Sequence, residues 1–173
     1  MVQYPETGEL SPVNFISISK QIPELVRFDL NIETVSFAPP LHSSMDRNIA
    51  ILKKFPGISE KLVHAIYNIE DLRAVIMETY GAGNAPTAPW FISLTREAAS
   101  KGIIILNVTQ CAAGRVDMNQ YKTGKNLIEA GVLSGYDITS EATVAKLMFL
   151  LSRNKDNRDI KEFLHKPLRG EIN

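Results

Sequence analysis

The fold class is decided by RAVIMETYGAGNAPTAPWF, residues 73–91, in which three local patterns follow one another. RAVIM, residues 73–77, is a short apolar run of the kind that forms a buried strand. The residues after it place two glycines and an asparagine within four positions, which is typical of a tight turn. Pro89 then suits the first turn of a helix, because proline loses no hydrogen bond there. The stretch therefore predicts a strand, a turn and a helix in that order.

The same order recurs before and after this stretch. NIAIL (48–52) and IIILNV (103–108) are further strand candidates, and the second reads as an apolar run suited to a strand buried on both faces. The predicted helices are residues 58–67 with Ser59 as cap, Pro89 to about Gly102, TGKNLIEAG (123–131) and ITSEATVAKLMFLLS (138–152) with Thr139 as cap. Because short loops and right-handed crossovers leave few other topologies, we expect an α/β three-layer sandwich with a small parallel sheet flanked by helices.

Three loops leave the predicted strands at their carboxyl ends, the edge at which parallel sheets place ligands. They are residues 55–57, 78–86 and 109–114. The glycine turn of the second loop is not a dinucleotide fingerprint, because GxGxxG would require a glycine where Pro86 stands. Two interpretations stay open. Either the loop brings backbone amides and Asn84 to a small polar ligand, or it only connects a strand to a helix.

Composition limits the expected partners and cofactors. The 173 residues include 19 basic and 19 acidic side chains, so the formal charge is zero and nucleic acid is not an expected partner. The apolar runs are too short to cross a bilayer and the first residues lack a signal pattern, which predicts a cytoplasmic protein without membrane contact. Cys111 is the single cysteine, and no Cys and His cluster has metal-site spacing, so neither a metal nor another cofactor is expected.

Polar residues that follow the second and third predicted strands form the candidate site. Thr109, Gln110 and Cys111 directly follow the third strand, and their hydroxyl, amide and thiol groups suit a small zwitterion. We expect these side chains to share a crevice with Asn84. For Cys111 a half-buried packing role is the alternative, because no histidine adjoins it in sequence. Glu78 is expected to be a solvated charge.

The first 46 residues differ in sequence pattern from the rest of the chain. They are rich in turn-forming residues, and APPLHSS (38–44) contains a Pro-Pro pair that neither a helix nor a central strand tolerates. We therefore expect a weakly defined boundary near Asp46.

Four motifs taken together resemble the C-terminal domain of bacterial cytoplasmic, type I L-asparaginases. They are NIAILKKFPGIS (48–59), AVIMETYGAGNAP (74–86), IIILNVTQCAAGRVDMNQYKTG (103–124) and LIEAGVLSGYDITSEATVAKLMFLLS (127–152). The resemblance covers about residues 47–153. It implies that residues 47–173 form the Rossmann- or flavodoxin-like C-terminal domain, and that residues 1–46 are a remnant of the N-terminal domain joined directly to it.

The resemblance implies a homo-oligomeric amidohydrolase that converts L-asparagine to L-aspartate and ammonia through a threonine nucleophile. The family carries that nucleophile in a Thr-Gly-Gly-Thr-Ile-Gly loop and a supporting pair in a His-Gly-Thr-Asp-Thr segment. Neither motif occurs in the 173 residues. No catalytic residue is therefore assigned within this sequence.

Binding residues are carried over from the resemblance position by position. Ser43 or Ser44 would contact the substrate carboxylate. Asn84, Thr109 and Cys111 match residues around an effector-asparagine pocket in similar enzymes, in which the loop that bears Asn84 also lies near a neighbouring subunit's active site. Glu78 stands where those enzymes often have an arginine, and an anion there removes one partner for a ligand carboxylate.

Two alternatives to an active asparaginase remain open. The chain could be a non-catalytic fragment that binds asparagine or assembles with other subunits. It could instead be the asparaginase-like subunit of a tRNA-dependent amidotransferase, which shares the GRVDMNQYKTG type of motif (114–124). The neutral charge gives no support to a tRNA-binding partner.

Overall fold

A computed structural model of the protein describes residues 44–85, 88–111, 114–120, 122–153, 156–168 and 170–172. Residues 1–43, which include Ser43 and most of the expected N-terminal remnant, lie outside the described residues. The boundary expected near Asp46 stays a prediction.

The described residues contain one parallel sheet in the order β1-β2-β3-β4. Its strands are β1 (Ile49–Lys53), β2 (Ala74–Thr79), β3 (Ile104–Thr109) and β4 (Leu133–Ser134). The parallel register pairs Ile49 with Ala74 and Ala74 with Ile104, so the first three strands run side by side over most of their length. The predicted parallel sheet is confirmed. β4 was not predicted, because two residues are too few to produce a strand pattern.

Five helices occur in the described part of the chain. They are α1 (Glu60–Tyr67), α2 (Pro89–Ser100), α3 (Lys122–Glu129), α4 (Ser140–Arg153) and α5 (Asn157–Leu164). The predicted caps are present: the Ser59 hydroxyl accepts a hydrogen bond from the Leu62 amide, and the Thr139 hydroxyl accepts one from the Ala142 amide. Gly102 has the positive φ of 92° expected just beyond a helix end.

Alternate residues of the strands face two separate apolar cores. Val75, Met77 and Ile105 pack on one face of the sheet in a cluster that includes residues of α1, α2 and α3. Ala74 and Ile76 belong to the other cluster, which includes residues of α4 and α5. Because successive side chains of a strand point to opposite faces, these two clusters make the sheet the middle layer of a three-layer α/β sandwich.

One local prediction differs from the structure. β2 ends at Thr79 rather than at Met77, so Glu78 belongs to the strand and not to the loop. The strand continues because β3 pairs with it up to Thr109, which carries the polar residues at its end into the sheet.

Candidate functional site

A cleft of about 360 Å³ lies at the carboxyl ends of β1, β2 and β3. This is the sheet edge at which the sequence placed the site. The described residues that line the cleft are Lys53, Glu78, Thr109, Gln110, Cys111, Gly114, Asp137, Ile138, Thr139, Ser140 and Glu141. The strands supply one wall through their last residues, and the start of α4 supplies another group of polar side chains. Ammonium, carboxylate, hydroxyl and thiol groups therefore line one small volume.

Gln110 ties the ends of the strands together. Its side-chain amide nitrogen donates hydrogen bonds to the backbone carbonyls of Lys54, at 2.7 Å, and Glu78, at 2.8 Å. Its backbone amide donates to the carbonyl of Thr79, at 2.8 Å. Gln110, one residue beyond β3, thus holds the ends of β1 and β2, and the shape of the cleft depends on it.

Glu78 is not the solvated charge that the sequence predicted. The residue is 8% exposed, because it lies in β2 between two neighbouring strands. Its carboxylate oxygen lies 3.5 Å from the ammonium nitrogen of Lys53, which is the residue paired with it in the parallel register. The cleft thus contains a shielded carboxylate with a cation from the adjacent strand beside it.

Thr109 and Cys111 both line the cleft, as the sequence analysis expected. The Thr109 hydroxyl oxygen accepts a hydrogen bond from the Cys111 amide at 3.1 Å. A hydrogen bond from the Thr109 side chain and another from the Gly81 backbone lower the pKa of the exposed Cys111 thiol. Because Cys111 is exposed, the half-buried packing role considered for it is wrong.

Asn84 lies on the glycine turn and is not among the residues that line the cleft. Its backbone amide donates to the carbonyl of Tyr80 at 2.9 Å, which closes the turn. Its side-chain oxygen accepts a hydrogen bond from the Thr123 hydroxyl at 3.3 Å, which connects the turn to α3. The structure therefore brings Thr109 and Cys111 together in the cleft, whereas Asn84 contacts Tyr80 and Thr123.

Asn107 is a residue that the sequence analysis passed over. It is fully buried in β3, where its side-chain oxygen accepts a hydrogen bond from the Thr79 hydroxyl at 2.6 Å. Its amide nitrogen donates to the carbonyl of Gly83 at 3.4 Å. The sequence feature that could have identified Asn107 is an amide side chain within an otherwise apolar strand. A buried amide needs hydrogen-bond partners, and here the bond to Gly83 holds the glycine turn against the sheet.

Lys54 is a second residue that was missed. It follows β1 directly, is 2% exposed, and its ammonium lies over the ring of Phe91. Within the described residues the ammonium has no hydrogen-bond partner. Burial lowers the pKa of Lys54 to about 8. This cation lies on the α1 and α2 side of the sheet, since it shares a face with Leu52 and not with Lys53.

Other potential sites have little support in the described ranges. No group of three His, Cys, Asp or Glu side chains there could hold a metal ion. No helix in the same ranges is long and apolar enough to span a bilayer. Ser44 is exposed and precedes β1, and its partner in the substrate-contact prediction, Ser43, is outside the described residues.

Comparison with protein families matches residues 48–164 to the Glutaminase/Asparaginase C-terminal domain. The chain belongs to this family. The matched range includes all four strands and all five helices named above. The L-asparaginase resemblance of the four sequence motifs is therefore confirmed at the level of the family.

Individual relatives carry several names. L-asparaginase 1 of Escherichia coli (strain K12) is 35% identical over 162 residues, which is 89% of this chain and 48% of that protein. The human 60 kDa lysophospholipase is 42% identical over 133 residues, 76% of this chain and 23% of that protein. A glutamyl-tRNA(Gln) amidotransferase subunit of Sulfolobus acidocaldarius is 36% identical over 133 residues, 77% of this chain and 29% of that protein.

The fold of a solved relative agrees with these matches. The crystal structure of L-asparaginase I from Vibrio cholerae O1 biovar eltor has a TM-score of 0.69 and 40% identity, and the match covers 73% of this chain and 38% of that one. The chain thus spans about half the length, or less, of the relatives that it matches.

Proposed function

We propose that this chain forms part of an L-asparaginase, an amidohydrolase that converts L-asparagine to L-aspartate and ammonia. The observation that carries the proposal is the strand-end cleft, found in a domain of the glutaminase/asparaginase family. Its volume of about 360 Å³ is at the small end of the roughly 300–1,000 Å³ of ligand pockets, which suits an amino acid. The match to E. coli L-asparaginase 1 covers 89% of this chain, against 76% and 77% for the other two relatives, which supports asparagine as the amino acid.

The described domain would contribute ligand binding rather than the nucleophile. A hydroxyl becomes nucleophilic only when a neighbouring base can accept its proton. The Thr109 hydroxyl contacts the amide of Cys111, and the Thr139 hydroxyl contacts the amide of Ala142. Both are engaged with backbone donors, so we assign Thr109 to ligand binding and Thr139 to capping α4. Thr109 and Cys111 are the residues that we propose for an effector site, with Asn84 orienting the adjoining turn.

Calorimetric titration and an ammonia assay test this proposal on the purified 173-residue chain. We expect L-asparagine to bind without ammonia release above the protein-free blank. Failure of L-asparagine to bind would overturn the proposed ligand, whether or not L-aspartate binds. Steady ammonia release would show that the chain supplies its own nucleophile. A Thr109→Val change should weaken binding, and equal affinity in an Asn84→Ala variant would remove Asn84 from the site.

A second candidate function is the asparaginase-like subunit of a tRNA-dependent amidotransferase. The 36% identity to the glutamyl-tRNA(Gln) amidotransferase subunit of Sulfolobus acidocaldarius favours it. The formal charge of zero counts against direct contact with tRNA, since such binding depends on neutralised phosphates. A salt-sensitive shift in the electrophoretic mobility of tRNA, caused by the purified chain, would favour this candidate over the first.

We also propose that the protein is cytoplasmic and self-associates. Large apolar side chains are exposed on the domain, among them Met45 at 46% and Ile69 at 50%. Such surface is commonly covered by a partner. Sedimentation velocity should therefore show a species larger than the monomer, and a strictly monomeric profile would contradict the proposal.

A further inference from the structure

The ion pair inside the cleft is unequal in its exposure to water. The side chain of Glu78 is 11% exposed, whereas that of Lys53 is 68% exposed, and their charged atoms are 3.5 Å apart. The carboxylate is fixed within a strand between two paired neighbours. The ammonium reaches it from a long side chain that remains largely in solvent. An exposed pair of this kind contributes at most about 1 kcal/mol, so a ligand can displace the lysine at little cost.

The formal charge of the cleft is negative among its described lining residues. Lys53 is the single cationic side chain among those residues, and it pairs with Glu78, while the other carboxylates in the lining belong to Asp137 and Glu141. Such a lining attracts a cation and repels a ligand with net negative charge. The Lys53 ammonium itself marks where a positive group lies most favourably, because it already occupies the space beside Glu78.

We propose that Glu78 binds the primary ammonium group of a small ligand in this cleft, and that Lys53 competes with the ligand for the same carboxylate. The inference deepens the proposed function and rests on the same cleft. It assigns the cleft to primary-ammonium ligands without net negative charge, so L-asparagine fits and L-aspartate is disfavoured. Lys53 is then a built-in competitor that sets the affinity, and Glu78 is the residue that determines specificity.

The two variants that separate these roles are Glu78→Gln and Lys53→Met. The first keeps the size of the side chain and removes its charge, and we expect it to weaken ligand binding at least about tenfold. The second removes the competitor, and we expect it to strengthen binding about two- to fivefold. Lys61→Met is the matched control, because Lys61 is an exposed lysine of α1 that does not line the cleft. It should leave the affinity unchanged.

Calorimetric titrations of the full chain should use three probes. L-asparagine carries the ammonium group, N-acetyl-L-asparagine lacks it, and n-butylammonium carries only that group. We expect L-asparagine and n-butylammonium to bind and to respond oppositely to the two variants. N-acetyl-L-asparagine should bind at least about tenfold more weakly than L-asparagine. If Glu78→Gln does not fold by circular dichroism, Lys53→Met still decides, since the Lys53 side chain is largely exposed.

The outcomes keep this inference distinct from the proposed function. Binding of L-asparagine that Lys53→Met leaves unchanged or weakens overturns the inference and leaves the proposed function standing. Binding of n-butylammonium without binding of L-asparagine supports the inference and overturns the proposed ligand. If none of the three probes binds, the inference is overturned as well.

Discussion

The ammonium nitrogen of Lys54 lies 3.6 Å from the centroid of the Phe91 ring. Lys54 is 2% exposed, and its ammonium has no hydrogen-bond partner within the described residues. The loss of hydration lowers the pKa of Lys54 to about 8. The aromatic face offsets only part of this loss, because a desolvated cation–π contact contributes roughly 2 kcal/mol. Below a pH of about 8 the domain therefore holds a buried charge at a cost in stability.

Lys54→Met is expected to stabilise the domain by on the order of 1–2 kcal/mol at about pH 7, because methionine fills similar space without a charge. In the wild type the folded pKa of about 8 lies below the ordinary value of 10.5, so folding favours the neutral amine. The unfolded chain binds more protons between these values, and the free energy of unfolding should therefore rise with pH across this window. The variant should lack this rise. Urea unfolding at a series of pH values measures both effects.

Lys61→Met controls for the loss of a lysine charge, because Lys61 is exposed on α1. It should change the free energy of unfolding by less than about 0.5 kcal/mol. A Lys54→Met variant less stable than the wild type across the whole pH series would mean that the contact with Phe91 outweighs the loss of hydration.

Local signals predicted the order of the elements and their caps. The hydroxyls of Ser59 and Thr139 accept hydrogen bonds from amides of the helices that they cap. Gly102 has a positive φ just beyond the end of α2. Such features depend on residues three or four positions apart, so a sequence pattern contains the whole interaction. The strands β2 and β3 were equally visible, because each is buried on both faces and such burial requires an apolar run.

Contacts between strands were beyond the reach of these patterns. Glu78 follows an apolar run and resembles the start of a loop, yet pairing with β3 extends β2 past it. Gln110 bonds to residues 32 and 56 positions earlier in the chain. Lys54 is buried because Phe91 arrives from α2. Each of these positions is set by the register of the sheet, which the sequence of one strand does not contain.

Gln110→Ala should lower the free energy of unfolding by about 2 kcal/mol, because it removes two side-chain hydrogen bonds to strand-end carbonyls. Gln110→Glu should cost more, since a carboxylate would face the carbonyl oxygens of Lys54 and Glu78 without a proton to donate. Gln120→Ala, at an exposed position, is the matched control. Urea unfolding checks the order of the three variants. Equal stability of Gln110→Ala and the control would contradict the role of Gln110 in holding the strand ends together.

The hydrogen bond from the Thr109 side chain to the Cys111 sulfur predicts the reactivity of the thiol. This bond favours the thiolate, so the pKa of Cys111 lies below its ordinary value. Thr109→Val removes the hydroxyl, and the pH midpoint of alkylation by iodoacetamide should rise. Thr109→Ser keeps the hydroxyl and should keep the midpoint near that of the wild type. Because the chain has one cysteine, alkylation reports on this site alone. A midpoint unchanged by Thr109→Val would leave only the Gly81 backbone as the cause.

Two glycines of the same turn should respond differently to alanine. Gly83 has a φ of +103°, and a Cβ there would lie 2.9 Å from Cγ1 of Val116 and 3.0 Å from Nδ2 of Asn107. Gly81 has a φ of +52° with nothing near its Cβ position. Gly83→Ala should therefore lower the free energy of unfolding by about 2–3 kcal/mol, through backbone strain and crowding together. Gly81→Ala should cost about 1 kcal/mol from strain alone. Thermal unfolding of both variants isolates the crowding, and equal losses would mean that Val116 and Asn107 can move aside.

Lys146 fixes the last described residues to α4. Its ammonium lies 2.6 Å from the carboxylate of Glu171 and donates hydrogen bonds to the carbonyls of Leu164, at 3.0 Å, and Lys166, at 2.7 Å. The side chain is 3% exposed, so its charge is compensated by three acceptors rather than by water. Ile172, next in sequence to Glu171, is buried.

Lys146→Met should lower the free energy of unfolding by about 3 kcal/mol, because the Glu171 carboxylate and two carbonyls lose their common donor. Glu171→Gln should cost less, since the ammonium keeps both carbonyls and the new amide oxygen can still accept. Carboxypeptidase digestion should also shorten the Lys146→Met variant faster, as the segment after α5 loses its attachment. Lys161→Met, on the exposed side of α5, should match the wild type in both measurements. If Lys146→Met and Lys161→Met unfold at the same urea concentration, the attachment does not stabilise the domain.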